Sequence, residues 1–207
     1  MQDKLKSFFE EHSIKGFLDH EEGLALNRYA LLQAEFGPCL ELGSYCGKST
    51  VYLGWACRER NQTLYAVDHH RGSEEHQHGE YYHDPDLYDV NLGLVDSFPL
   101  FRRTLHLADL GNTVVPIVAS SELARREWQT PLSLVFIDGG HSEPMAIADC
   151  LQWSEKIAPN GVLAIHDIFE KPEDGGQGPF LGMKAVLATG DFVLEHQTKT
   201  LVFMRKK

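Results

Sequence analysis

Five short, largely apolar runs, each separated from the next by a stretch with helical patterning, restrict this chain to a narrow set of folds. The runs are Cys39–Leu42, Thr63–Val67, Val114–Val118, Leu132–Ile137 and Val162–His166. The helical stretches cover Gly47–Arg60, about Leu92–Leu110, Ser120–Trp128 and Glu143–Ile157, and in the last Ile147, Cys150, Leu151 and Ala158 trace one face. Continuously apolar strands are buried on both faces, and helical connections between them make the sheet parallel. Right-handed crossovers then produce a doubly wound sheet. Pro116 lies inside the third run and lacks the ladder N–H, so that strand belongs at an edge. After a helix near Phe180–Ala188, the runs Phe192–Glu195 and Thr200–Met204 are separated by little more than Gln197-Thr198-Lys199. So short a link makes an antiparallel hairpin, because a parallel crossover needs a dozen residues or so. The expected architecture is α/β: a doubly wound, mostly parallel seven-stranded sheet in the order 3-2-1-4-5-7-6, strand 7 antiparallel, with N-terminal helices.

Those helices are expected at about Asp3–His12 and Glu21–Phe36, the second stopped by Gly37-Pro38. A chain of 207 residues supports one core, so residues 1–207 are read as a single domain. Residues 1–36 form its helical extension and 69–91 a lid or acceptor loop. The other long irregular piece is Phe169–Pro179, and loops this long are usually functional. No signal peptide precedes the first helix and no apolar run reaches membrane-spanning length. Cys39, Cys46, Cys57 and Cys150 form no CxxC pair and read as buried thiols of a cytoplasmic protein. The formal charge of −11 argues against nucleic acid, whose phosphates demand a basic footprint. Arg102-Arg103, Arg125-Arg126 and Arg205-Lys206-Lys207 read as solvated faces and a solubilising end.

The segment Glu41-Leu42-Gly43-Ser44-Tyr45-Cys46-Gly47-Lys48-Ser49-Thr50 carries a buried strand into a glycine turn and then a helix. Glycines let a ligand approach the backbone, and the helix start supplies N–H groups. Three nucleotide sites begin this way. The dinucleotide fingerprint requires a glycine where Tyr45 stands. A P-loop requires four residues before Gly-Lys-Ser/Thr; between Gly43 and Gly47 there are three, leaving ATP binding as a weaker rival. The E-x-G-x-x-x-G turn of class I methyltransferases matches without adjustment. Asp68, ending the second strand, is placed to accept hydrogen bonds from ribose hydroxyls; the bland alternative is a turn or cap residue. Asp138 in Ile137-Asp138-Gly139-Gly140-His141-Ser142, and Asp167 in His166-Asp167, end apolar strands where a carboxylate needs a partner.

Taken together and in order, ELGSYCGKST, YAVDHHRGSEEH, FIDGGHS and GVLAIHD resemble the small O-methyltransferases of the macrocin and cephalosporin-biosynthesis type. Gly16-Phe17-Leu18 and Glu22-Gly23 resemble that family's entry segment, and the likeness runs from about residue 14 to the C-terminus. The resemblance implies S-adenosyl-L-methionine as cofactor. It implies that Glu41, Gly43, Ser44, Gly47, Ser49 and Asp68 line the cofactor; His69 and His70, which follow Asp68 directly, are expected near the pocket mouth. Ser120 and Ser121 would sit by the adenine, and Asp138 near the sulfonium. In relatives that use a divalent cation, the carboxylates after strands four and five hold it. This maps to Asp138 and Asp167, with His166 as the less certain third ligand. Mg²⁺ is the first expectation, although an imidazole suits Mn²⁺, Fe²⁺ or Zn²⁺ better. The alternative is that Asp138 binds the cofactor's amino group and Asp167 orients a histidine. The histidines between His69 and His83 show no recognised ligand spacing and read as a polar lid.

Methyl transfer needs an aligned acceptor and a route for its proton. His141 is the candidate base and His166 the second. An Asn/Asp-Pro-Pro-Tyr/Phe turn of N-methylating enzymes is absent after strand four, which favours a hydroxyl of a small-molecule acceptor. The other expected partner is a second copy of the chain in a homodimer. A cofactor-binding regulatory domain without turnover is the non-enzymatic alternative.

Overall fold

In the computed structural model, which describes residues 2–72 and 84–207, each apolar run forms a strand of one sheet. The strands are β1 (Cys39–Leu42), β2 (Leu64–Val67), β5 (Val114–Ile117), β6 (Leu132–Ile137), β7 (Ile157–Ile165), β8 (Phe192–Thr198) and β9 (Leu201–Lys206). Two further short strands, β3 (Tyr88–Asp89) and β4 (Leu94–Val95), pair only with each other. The main sheet runs β5-β2-β1-β6-β7-β9-β8, which is 3-2-1-4-5-7-6 when its own strands are counted. It is parallel from β5 to β7, and β9 is antiparallel to both β7 and β8. Pro116 lies in β5 at the sheet edge, where its missing N–H leaves no neighbour unpaired.

The helices are α1 (Gln2–Glu11), α2 (His20–Gln33), α3 (Lys48–Glu59), α4 (Phe98–Leu107), α5 (Ser121–Arg125), α6 (Glu143–Ser154) and α7 (Gly178–Ala188). Successive residues of a strand point to opposite faces, so the sheet sorts its side chains into two cores. Leu134, Phe136, Val162, Ala164 and Phe203 pack on one side with α1, α2, α3 and α4. Val135, Ile137, Leu163, Ile165 and Met204 pack on the other with Trp153, Met183 and Val186 of α6 and α7. Burying each such aliphatic side chain stabilises the fold by about 1.5–3 kcal/mol. Leu5, Leu26 and Ala30 are fully buried in the first core, so the N-terminal helices belong to it. Among the described residues no helix is long and apolar enough to cross a membrane.

Beyond shifts of a few residues at other ends, such as α2 stopping at Gln33 and α5 at Arg125, three boundaries differ from the sequence expectation. The helix expected over Leu92–Leu110 begins only at Phe98. Gly93 adopts φ +68° in the β3–β4 turn, and the Asp96 side chain accepts from the Phe98 N–H at 3.0 Å, setting a helix start at Pro99's first turn. Strand β7 begins at Ile157 rather than Val162, passing through a register shift beside Leu132 and Leu134; Ala158 therefore belongs to the strand and not to a helix face. The hairpin link is shorter than expected, with Lys199 at φ +51° and Thr200 joining Thr198 to Leu201. Of the expected lid, residues 73–83, including Glu74, Glu75, Tyr81, Tyr82 and His83, lie outside the described residues. Residues 84–91 form a 3₁₀ turn at Pro85–Leu87 followed by β3.

Candidate active site

Parallel strands all present their C-terminal ends on one side, so β1, β2, β6 and β7 deliver their following loops to a common place. The loop after β1 turns at Gly43, whose φ is +83°. A Cβ there would lie 2.1 Å from the Asp138 carbonyl oxygen, so only glycine lets the β1 and β6 loops meet. Gly47 is the N-cap of α3 and offers no side-chain cap. Asp68 at the end of β2 fixes the turn. Its Oδ2 accepts from the backbone N–H groups of Ser44 and Tyr45 at 2.9 and 2.8 Å, and its Oδ1 from that of His70 at 2.7 Å.

The loops after β6 and β7 are laced by two crossed carboxylate–histidine contacts. Asp138 Oδ1 meets His166 Nδ1 at 2.9 Å, and Asp167 Oδ2 meets His141 Nε2 at 3.2 Å. Asp167 holds φ +56°, a left-handed backbone that costs a non-glycine residue roughly 1–2 kcal/mol. His166 Nε2 contacts Glu22 Oε2 of α2 at 3.0 Å. Burial alone would depress the His166 pKa. The charge of Asp138 and hydrogen bonds to Asp138 and Glu22 outweigh this and push it up to about 11, so the buried ring is an imidazolium donating from both nitrogens. Burial pulls the Asp167 carboxyl upward, but the hydrogen bond from His141 and the His166 charge bring it below the ordinary range.

These loops open on a cavity of about 430 Å³, within the range of small-molecule sites. Gly43, Ser44, Ser49, Asp68, His69, Asp138, His141 and Asp167 line it. Glu41 does not: it is fully buried under the turn, where Thr50 Oγ1 donates to its Oε2 at 2.6 Å and its Oε1 has no partner. Gly47 shapes the turn from outside the lining. Ser120 and Ser121 also stand outside. Ser120 caps α5 by accepting from the Leu123 N–H, while Ser121 donates to Asp149 and accepts from Trp153 Nε1. His166 cannot serve as a metal ligand or as the base, since both ring nitrogens are committed to carboxylates.

His141 takes the place expected of His166. Asp138, His141 and Asp167 each offer one ligand atom, and these atoms lie within 4.8 Å of one another. Sequence reasoning also missed Lys15, Lys48 and Phe169 as lining residues and Glu22 as the buried partner of His166. The Asp19-x-x-Glu22 spacing signals a capping box, and both its hydrogen bonds form, but it does not signal the contact with His166. Lys15 reaches Asp84 and Asp86 at 2.6 and 2.7 Å. That pairing spans the length of residues 16–83, beyond any local pattern.

Residues 40–168, well over half of the chain, match the family described as a methyltransferase domain. The chain belongs to this family of methyltransferases. Its seven-stranded sheet is the fold of class I methyltransferases. The methyltransferase shares its fold with the O-methyltransferase TomG from Streptomyces achromogenes, involved in tomaymycin synthesis and solved with SAM. The TM-score is 0.62 at 15% identity, over 99% of this chain and 87% of that one. The O-methyltransferase from Bacillus cereus in complex with SAH aligns with TM-score 0.62 at 14% identity, over 100% and 90%. The O-methyltransferase NovP aligns with TM-score 0.66 at 15% identity, over 90% and 78%. The P-loop and regulatory alternatives therefore lapse. The cavity suits a cofactor: Ser44, whose Oγ has no partner, and Gly43, which adds no side chain, both stand in its lining.

Proposed function

We propose that this methyltransferase transfers the methyl group of S-adenosylmethionine to a hydroxyl of a small acceptor, with a divalent cation held by Asp138, His141 and Asp167. The carrying observation is the convergence of those three ligand atoms within 4.8 Å on the cavity lining beside the glycine turn. Around them Glu22, Asp138 and Asp167 outnumber the single buried imidazolium of His166, so the cluster favours a further positive charge. Two carboxylates and one imidazole suit Mn²⁺, Fe²⁺ or Zn²⁺ better than Mg²⁺. When bound, such a cation lowers the pKa of an acceptor hydroxyl, while the cofactor supplies an electrophilic methyl. The chain's own part is alignment. The turn at Gly43–Gly47 and Asp68 would hold the cofactor, and Asp138 and Asp167 would face the acceptor. Phe17, Leu18 and Phe169 would exclude water from it.

A second reading, supported by the 3.2 Å contact of His141 with Asp167, makes His141 a general base oriented by that carboxylate, with no cation. The buried free cysteines support a cytoplasmic site of action. The two readings part under chelation. Methyl transfer from labelled cofactor to a panel of hydroxylated acceptors is expected to vanish after exhaustive chelation and return with one added metal. Undiminished transfer in chelator would remove the cation and leave His141 as the base.

A further inference from the structure

Glu22 touches neither cavity nor reacting groups, yet four donors converge on its carboxylate. Oε1 accepts from Thr200 N and Thr200 Oγ1 at 2.9 and 2.8 Å, and Oε2 from Asp19 N at 3.3 Å and His166 Nε2 at 3.0 Å. We propose that Glu22 is a positioning residue of the active site, fixing through His166 the orientation in which Asp138 presents its carboxylate to the cavity. The proposal rests on the reading of Asp138 as a ligand-binding carboxylate.

Asp138 follows β6 directly. Its neighbours Gly139 and Gly140 provide no side chains to wedge it, and its side chain is partly exposed at 22%. Its described side-chain tether is His166 Nδ1 at 2.9 Å. A ring held at one nitrogen still swings about that contact; a ring held at both does not. Glu22 supplies the second hold. It is itself locked by the capping box at the start of α2 and by the β8–β9 turn, so two distant parts of the chain set the angle of one imidazole. Glu22 and His166 are 3% and 5% exposed. A buried ion pair is a poor source of stability compared with apolar residues of the same volume. A buried charged chain that ends on a cavity carboxylate therefore points to orientation. Outer partners of this kind tune the groups they hold, and their loss typically weakens metal binding 10–100-fold.

The test uses the full-length protein, with Mn²⁺ as probe followed by electron paramagnetic resonance, and crystal structures of the same variants. Glu22→Gln should weaken Mn²⁺ binding about 10- to 100-fold in a folded protein and release the Asp138 carboxylate from its wild-type position. Thr200→Val, which loosens Glu22 without replacing it, should weaken binding by a smaller factor. Folded Glu22→Gln with wild-type affinity and a superimposable Asp138 would overturn the proposal. If Glu22→Gln does not fold, Thr200→Val decides: a weakened site supports the proposal and an unchanged one overturns it. If the wild type binds no Mn²⁺, the cation reading fails by itself. The crystal structures then judge Glu22 alone, a displaced Asp138 supporting its role and an unmoved one refuting it.

Discussion

A carboxylic acid sealed under a glycine turn loses its proton only at a cost. Burial pushes the Glu41 carboxyl up to about 7, although the neighbouring hydroxyls of Ser49, Thr50 and Ser44 pull the other way. In the unfolded chain the same group titrates near 4.5. Between those values the unfolded state releases a proton that the folded state keeps, so stability falls as pH rises from about 4.5 to about 7 and stays lowered above. Glu41→Gln should therefore raise the stability of the cofactor-free protein at pH 8 by roughly 1–3 kcal/mol. It should also flatten the pH dependence across that window, as urea titrations at several pH values would show; a less stable variant at pH 8 would contradict the assignment. Asp68, by contrast, faces the cavity. It accepts three backbone N–H bonds and lines the cavity, so Asp68→Ala should lower affinity for S-adenosylhomocysteine by about 1.5–3 kcal/mol, tenfold or more in Kd by calorimetry. Unchanged affinity would show that the turn organises itself without this carboxylate.

At the scale of elements, the approach of α2 to α3 decides how the N-terminal helices join the core. A Cβ on Gly23 would lie 2.4 Å from the Tyr52 ring, and Tyr52 is fully buried, with its hydroxyl 2.8 Å from His20 Nδ1. On an exposed helix, glycine to alanine stabilises by about 1 kcal/mol. Here the sign should reverse, and Gly23→Ala should cost about 1–3 kcal/mol through overpacking, measured as a lower urea midpoint with unchanged slope. A gain in stability would mean that the two helices are free to separate. Most elements were legible because β1, β5, β6 and the hairpin strands carry continuous apolar runs between glycine, proline or charged punctuation. Where a helix pattern failed, at Leu92–Ser97, a glycine in left-handed geometry and the Asp96 carboxylate bonded to the Phe98 N–H overrode it. The site was legible where a residue follows its strand directly, as Asp68, Asp138 and Asp167 do. It was not legible where partners come from distant chain. Nothing near His166 in sequence reveals that Glu22 would occupy its second nitrogen, or that His141 would then stand beside the two aspartates.

At the scale of the whole molecule, the cavity and the groups behind it join pieces from both ends of the chain. Lys15 before α2 reaches Asp84 and Asp86 beyond the β2 loop, Lys48 Nζ donates to the Gly16 carbonyl at 3.2 Å, and Thr200 near the C-terminus meets Glu22. On the proposed function, this enclosure holds the cofactor for methyl transfer. Calorimetric titration of the full-length protein with S-adenosylhomocysteine, with ATP as the control ligand, measures this. One molecule of S-adenosylhomocysteine should bind per chain, with no heat from ATP. Binding of ATP with no response to S-adenosylhomocysteine would contradict it.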